Sequence, residues 1–272
     1  MSLSGKITLI TGGCKNLGAL IATLFAADGA HLALHYNSSA SKSSADQLTT
    51  DLTSKYPNIT VKTYQGDLTT ASSVAALFDA VSKDFNGKLD IVINTVGKVL
   101  KKPLSDVSEA EYDEMFAVNS KAAFFITQEA AKRVGEGGKI INTVTSLLAA
   151  YTPLYTSYQG SKAPVEFFTK GLSKELMPKK ISVNAVAPGP MDTPFFYGQE
   201  TPEAVAFHKS NAIGGRLTLV EDIAPIFKFL CTEGAWINGT LLTYPHQQRR
   251  RKHNPALFLS LTQPAIYLIM TS

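Results

Sequence analysis

The chain has 272 residues, with a hydrophobic share of 44% and a charged share of 18%. That balance fits a soluble globular protein with a sizeable core and excludes a disordered one. Its formal net charge of +4 is matched by one run, Arg249, Arg250, Arg251 and Lys252, which leaves a neutral body and no electrostatic footprint for nucleic acid. Two cysteines, Cys14 and Cys231, give no disulfide framework, and a reducing, cytoplasmic location is the expectation. The opening residues lack a signal pattern. The apolar stretch 256–270 is broken by Gln263 and Pro264, so no membrane span or membrane partner is expected.

In chain order, a strand is expected over 6–11 and a helix over 17–28, then a strand over 31–36 and a polar helix over 41–55. A third strand over 59–64 precedes a helix over 71–85, and a fourth strand over 89–94 precedes a long helix over 108–134. The fifth strand covers 139–145, a helix carrying Tyr158 runs to 176, and a sixth strand covers 181–187. Buried strands alternating with helices argue for an α/β fold with a parallel sheet covered on both faces. Right-handed crossovers make that a single doubly wound, Rossmann-like domain over 1–244, with an atypical tail over 245–272.

Ligands in such folds sit beyond the carboxyl ends of the strands. The first strand runs into Thr11, Gly12, Gly13, Cys14, Lys15, Asn16, Leu17 and Gly18, directly ahead of a helix. Glycines let backbone approach a pyrophosphate, and the helix N-terminus offers free N–H groups. Cys14 in that loop has no partner histidine nearby in sequence and reads as a bystander thiol. Further on, Tyr158 and Lys162 stand four apart on a helix and share one face. A cation beside a phenol lowers its pKa from about 10, which would suit it to pass a proton to or from an alcohol oxygen. The five histidines form no ligand-spaced cluster, and no metal is expected.

Taken together these motifs resemble the short-chain dehydrogenases/reductases, in the subgroup with Tyr-x-x-x-Lys. That family's glycine motif matches at Thr11, Gly12 and Gly18, with Asn16 in place of the middle glycine; Asn tolerates left-handed backbone better than most residues. Asn94 and Gly97 match the ends of the motif after strand four, Asp67 the aspartate near the adenine, and Asn119 the helix asparagine. Pro188 to Thr193, including Met191, fits the segment after strand six. The resemblance spans about 6–240 and implies hydride transfer between a nicotinamide and a carbonyl or alcohol. It implies that Tyr158 moves the proton, that Lys162 tunes Tyr158 and holds the nicotinamide ribose, and that Asn119 supports a water leading from Lys162 to solvent. A hydroxyl at the end of strand five would polarise the carbonyl. Ser146 is preferred for it on residue type, and Thr145 on alignment from Gly138.

After strand two, His35 to Lys42 contains no carboxylate to bind ribose hydroxyls. Lys15 stands where the family often places a basic contact to a 2′-phosphate, and Asn37, Ser38 and Lys42 could add to it. NADP(H) is therefore the expected cofactor. Phe195, Phe196 and Tyr197, with Leu148, Tyr151 and Leu154, would line an apolar lid. A hydrophobic ketone or secondary alcohol follows, of polyketide, terpenoid or fatty-acyl origin, as in secondary-metabolite biosynthesis. A 3-oxoacyl thioester reductase and a non-catalytic nucleotide-binding or regulatory protein are the alternatives. The family resemblance implies a homo-oligomer, dimer or tetramer. After Gly239 the sequence leaves the family pattern, with Leu241 to Pro245 leading into the basic run. The tail reads as a splice or gene-model product in preference to a targeting or partner segment, and loss of the usual edge-strand sequence would threaten assembly before catalysis.

Overall fold

The computed structural model describes residues 2–243; the tail and its basic run lie outside the described residues. The strands are β1 (Ile7–Thr11), β2 (His31–Tyr36), β3 (Val61–Gln65), β4 (Ile91–Asn94), β5 (Lys139–Thr143), β6 (Ser182–Ala187) and β7 (Leu241–Thr243). They form one sheet in the order β3-β2-β1-β4-β5-β6-β7, parallel throughout. The expected doubly wound architecture is present. The order in which strands are added reverses between β1 and β4, and that topological switch point opens the crevice where ligands bind in such sheets.

Neighbouring strand residues divide between two cores because side chains alternate across a sheet. Ile10, Leu34, Ile93 and Ile141 point to one face, where they meet α1 (Asn16–Ala27), α2 (Lys42–Lys55) and α9 (Val220–Cys231). Leu9, Ala33, Val92 and Ile140 point to the other, against α3 (Ala71–Asp84) and α5 (Ala122–Arg133). Phe25 on α1 and Phe227 on α9 are fully buried, each contributing about 1.5–3 kcal/mol of apolar burial. With both faces covered, the strands read as continuous apolar runs rather than alternating ones.

Two departures from the expected elements matter for the site. The fifth strand stops at Thr143, so Thr145 and Ser146 lie beyond it, free of the strand's alternation. The long helix over 108–134 is three pieces: α4 (Glu109–Phe116), a π-helical turn (Ala117–Lys121) and α5. A π turn inserts one extra residue and re-aims the side chains on it. Asn119 sits on that turn, fully buried. At the sheet edge, β7 pairs Leu241 to Thr243 with Ala185 to Ala187 of β6, so the sheet keeps a seventh strand despite the departing sequence.

Candidate active site

A cleft of about 610 Å³ runs along the carboxyl ends of the strands, from Lys15 and Asn37 at one end to Phe196 and His208 at the other. That volume lies within the range of small-ligand sites. Gly12, Lys15, Asn16, Leu17 and Gly18 line its first part. Gly12 has φ +70° and Asn16 φ +47°, so the residue in the glycine's place adopts the left-handed conformation a glycine would supply. A Cβ on Gly18 would lie 2.3 Å from the Gly12 carbonyl oxygen; helix and loop pack at a distance only glycine permits. Cys14 lines the same wall, and burial pushes its thiol up to about 11, which keeps it protonated and unreactive at neutral pH.

Not every residue singled out in the sequence faces the cleft. Asn94 is buried below the loop: its Oδ1 accepts from Thr11 Oγ1 at 2.8 Å and from the Val96 N–H at 3.1 Å. It braces the switch point rather than lining it. Ser38 lies off the lining, its carbonyl taking the Ser41 N–H at 2.9 Å, and Lys42 is held 2.6 Å from Asp46. Neither of the two is in the lining of the cleft. Asn37, Asp67, Gly97, Met191 and Thr193 do line the cleft. Asp67 is turned partly onto its own loop, accepting from Thr69 Oγ1 at 2.6 Å.

At the centre, α6 (Thr156–Glu175) presents Tyr158 and Lys162, both buried. Lys162 Nζ donates to the carbonyls of Val96 at 3.1 Å and Thr143 at 3.2 Å. Burial pushes its ammonium down to about 8. The Tyr158 phenol is pushed up to about 12 by burial, and a hydrogen bond from the Thr145 side chain draws it part of the way back. This reverses the expectation of a phenol lowered by its lysine: burial dominates, and the group that lowers the phenol is Thr145. The hydroxyl beside the phenol is that of Thr145, not the preferred Ser146. Thr145 caps a 3₁₀ turn (Ser146–Leu148) and accepts from the Leu147 N–H at 3.3 Å, while Ser146 donates its backbone N–H to Pro188 at 2.9 Å.

Asn119 makes three bonds within the protein: Oδ1 accepts from the Lys98 N–H at 2.8 Å, and Nδ2 donates to the Lys98 carbonyl at 2.8 Å and Ser161 Oγ at 2.9 Å. It thereby fixes the strand-four loop against α6. A Cβ on Gly97 would come within 2.9 Å of Lys162 Nζ and 3.3 Å of Asn119 Oδ1, so the three residues form one close-packed knot.

Beyond Tyr158 the cleft is closed by α7 (Pro194–Tyr197) and α8 (Pro202–Ser210). Phe195 and Phe196 line it as expected. Tyr197 instead bonds Asp192 at 2.9 Å, and Tyr151 and Leu154 are exposed. Leu148 packs into a small core cluster on the far side of the loop. Val99, Leu147, Tyr155, Gln199 and His208 complete the lining. None of them belongs to a short motif; only Tyr155, three before Tyr158 and just ahead of α6, stands near one. Among the described residues, no cluster of His, Cys, Asp or Glu could hold a metal ion, and no helix is long and apolar enough to cross a membrane.

A crossover point that carries a glycine-bounded helix start on one side and a buried tyrosine–lysine pair on the other defines a nucleotide-dependent oxidoreductase class. Comparison with known proteins narrows this. A family model described as Enoyl-(Acyl carrier protein) reductase matches residues 12–244. A short-chain type dehydrogenase/reductase of Picea abies is 38% identical over 88% of this chain and 91% of its own length. The NADPH-dependent aldehyde reductase 2, chloroplastic, of Arabidopsis thaliana is 34% identical over 89% and 93%. A solved structure of a putative dehydrogenase from Burkholderia cenocepacia with bound NADP superposes with a TM-score of 0.87, at 50% identity over 91% of this chain and 96% of that one. The chain belongs to the short-chain dehydrogenase/reductase family.

Proposed function

We propose that this protein is an NADP(H)-dependent oxidoreductase acting on a hydrophobic ketone or the corresponding secondary alcohol. The observation that carries the reading is the convergence of Thr145, Tyr158 and Lys162 in one cleft that continues to the glycine loop. The loop fits a dinucleotide: Lys15, Asn16, Leu17 and Gly18 at the start of α1 line the cleft, where a helix N-terminus offers free N–H groups to a pyrophosphate, and the tight packing at Gly12 and Gly18 holds the loop close against the helix. Gly12, Asn16, Leu17 and Gly18 would hold the pyrophosphate, Asp67 the adenine, and Gly97, Met191 and Thr193 the nicotinamide half. Lys15 and Asn37 would take a 2′-phosphate, since no carboxylate stands after β2 to favour free hydroxyls. The bound nicotinamide supplies the hydride.

The protein's own groups then do the acid–base work. Thr145 donates a hydrogen bond to the carbonyl oxygen and polarises it. Tyr158, protonated at neutral pH, donates its proton to that oxygen as charge develops there. Lys162 stays cationic below about pH 8 and stabilises the phenolate left behind. Asn119 and Gly97 hold Lys162 in register. In the oxidative direction the same phenolate takes the proton back from the alcohol.

Val99, Leu147, Phe195 and Phe196 support an apolar substrate. The family model's description names an acyl carrier protein, which supports keeping acyl thioesters, the 3-oxoacyl ones included, in the test as a second reading. Tyr112, Phe124 and Phe167, exposed on α4, α5 and α6, support a homo-oligomer. The two thiols support a reducing compartment such as the cytoplasm. The test is NADPH oxidation over a panel of apolar ketones and 3-oxoacyl thioesters, with Tyr158→Phe as control. Turnover that vanishes in the control upholds the reading; tight NADPH binding without turnover on any carbonyl returns the chain to a nucleotide-binding role.

A further inference from the structure

The segment over the substrate end of the cleft is tied down by a buried charge pair that does not line the cleft. The Glu200 side chain, between α7 and α8, has 0% exposure and lies 2.5 Å from Lys101 Nζ, itself 18% exposed, on the loop after β4. The other carboxylate oxygen accepts from the Tyr155 hydroxyl. Tyr155 precedes α6 and faces Tyr158 edge-on, with ring centroids 6.1 Å apart. Lys101 Nζ also sits 5.7 Å from the Tyr155 ring centroid, and the Lys101 N–H donates to Gln199 Oε1 at 3.1 Å. One carboxylate therefore joins the covering segment, the strand-four loop and the helix that carries the proton donor.

A buried carboxylate is costly unless it is paired and hydrogen-bonded. Here both oxygens have partners, and both partners belong to the opposite wall of the cleft. Opening the segment would pull Glu200 away from Lys101 and Tyr155 together, so the closed position is favoured by an interaction that exists only when closed. Building on the functional reading above, we propose that Glu200 is a positioning residue. With Lys101 and Tyr155 it clamps the segment 194–210 over the substrate end of the cleft, and that closure sets the affinity for the carbonyl substrate.

The test is steady-state kinetics with NADPH and the best ketone of the panel, together with backbone hydrogen exchange of 194–210. Glu200→Gln and Lys101→Met should each raise KM for the ketone about tenfold, or about 1.4 kcal/mol, with kcat changed far less. The Kd for NADPH should not change, because neither side chain lines the cofactor half. Lys101→Arg should restore KM, and the double variant should be no worse than the worse single one, as expected for partners in one interaction. Tyr155→Phe, which removes only the hydroxyl, gives a milder rise without a folding risk. Unchanged KM in both single variants, multiplying effects in the double, or an equal loss of NADPH affinity would overturn the clamp. If the wild type reduces no carbonyl compound at all, the functional reading fails and exchange alone decides. Faster exchange over 194–210 in Glu200→Gln supports the clamp, and identical exchange rules it out.

Discussion

At pH 7 the buried Tyr158 phenol keeps its proton and the buried Lys162 ammonium keeps its charge, held respectively at about 12 and about 8. Because Lys162 lies below its ordinary 10.5 in the folded chain, its burial penalty acts in full below pH 8. Between 8 and 10.5 the unfolded chain holds a proton that the folded one has released, so stability rises with pH, by on the order of 3 kcal/mol in total. Tyr158 works the other way above pH 10, where only the unfolded chain loses the proton. Thermal unfolding should therefore show a midpoint that climbs from pH 7 toward pH 9.5 relative to Lys162→Met, in which that climb is absent. Reduction should decline over the same range, as the charge that stabilises the phenolate is lost. Thr145→Ala should lower kcat by roughly a hundredfold, and Ser146→Ala by no more than about threefold, measured on the same ketone. Equal losses in the two variants would give Ser146, which also lines the cleft, a share of the catalytic role. The sequence placed both hydroxyls within one residue of each other; which of them reaches the phenol depends on where β5 stops, and hydrogen bonding to β4 and β6 decides that.

Among the elements, the start of α1 shows a residue chosen for its backbone. Asn16 has φ +47°, where an ordinary side chain costs about 1–2 kcal/mol. In denaturant unfolding, Asn16→Ala should lose about 1 kcal/mol and Asn16→Gly less than half of that; similar losses would show that the side chain, not the φ angle, matters there. The π turn between α4 and α5 was not legible. Hydrophobic periodicity over 108–134 is helical throughout, and the extra residue that turns Asn119 toward Lys98 and Ser161 leaves no mark on a pattern read one helix at a time. The covering segment was legible only as aromatic. Phe195 and Phe196 were found in sequence, whereas Gln199 reaches the cleft from the turn between α7 and α8 and His208 from α8 itself.

For the molecule as a whole, the charge along the cleft decides between the two nicotinamide cofactors. Lys15 and Asn37 stand at the adenosine end, and Asp46, the first carboxylate after β2, is committed to Lys42. NADPH should be used in preference to NADH, and Lys15→Ala should cut that preference about tenfold, as expected for one charge-assisted contact. A ratio of kcat/KM values unchanged by the variant would remove Lys15 from the phosphate site. From the exposed aromatics of α4, α5 and α6 the expected outcome is an association measurable by sedimentation; a monomer at micromolar concentration would refute it.

Strand–helix alternation, the glycine loop and the Tyr158–Lys162 spacing were determined by the sequence alone, because each depends on residues within a few positions of one another. Backbone conformation, helix-face geometry and burial on both sides of a strand are local enough to be written as patterns. Only the tertiary structure decided the rest. Asn94 turned from cleft to brace, Thr145 took the place beside the phenol, desolvation raised Tyr158 where a neighbouring cation was expected to lower it, and Glu200 met Lys101 across 99 positions of chain. Those outcomes depend on which groups are brought together and how much water is excluded around them, and neither quantity exists until the strands are side by side.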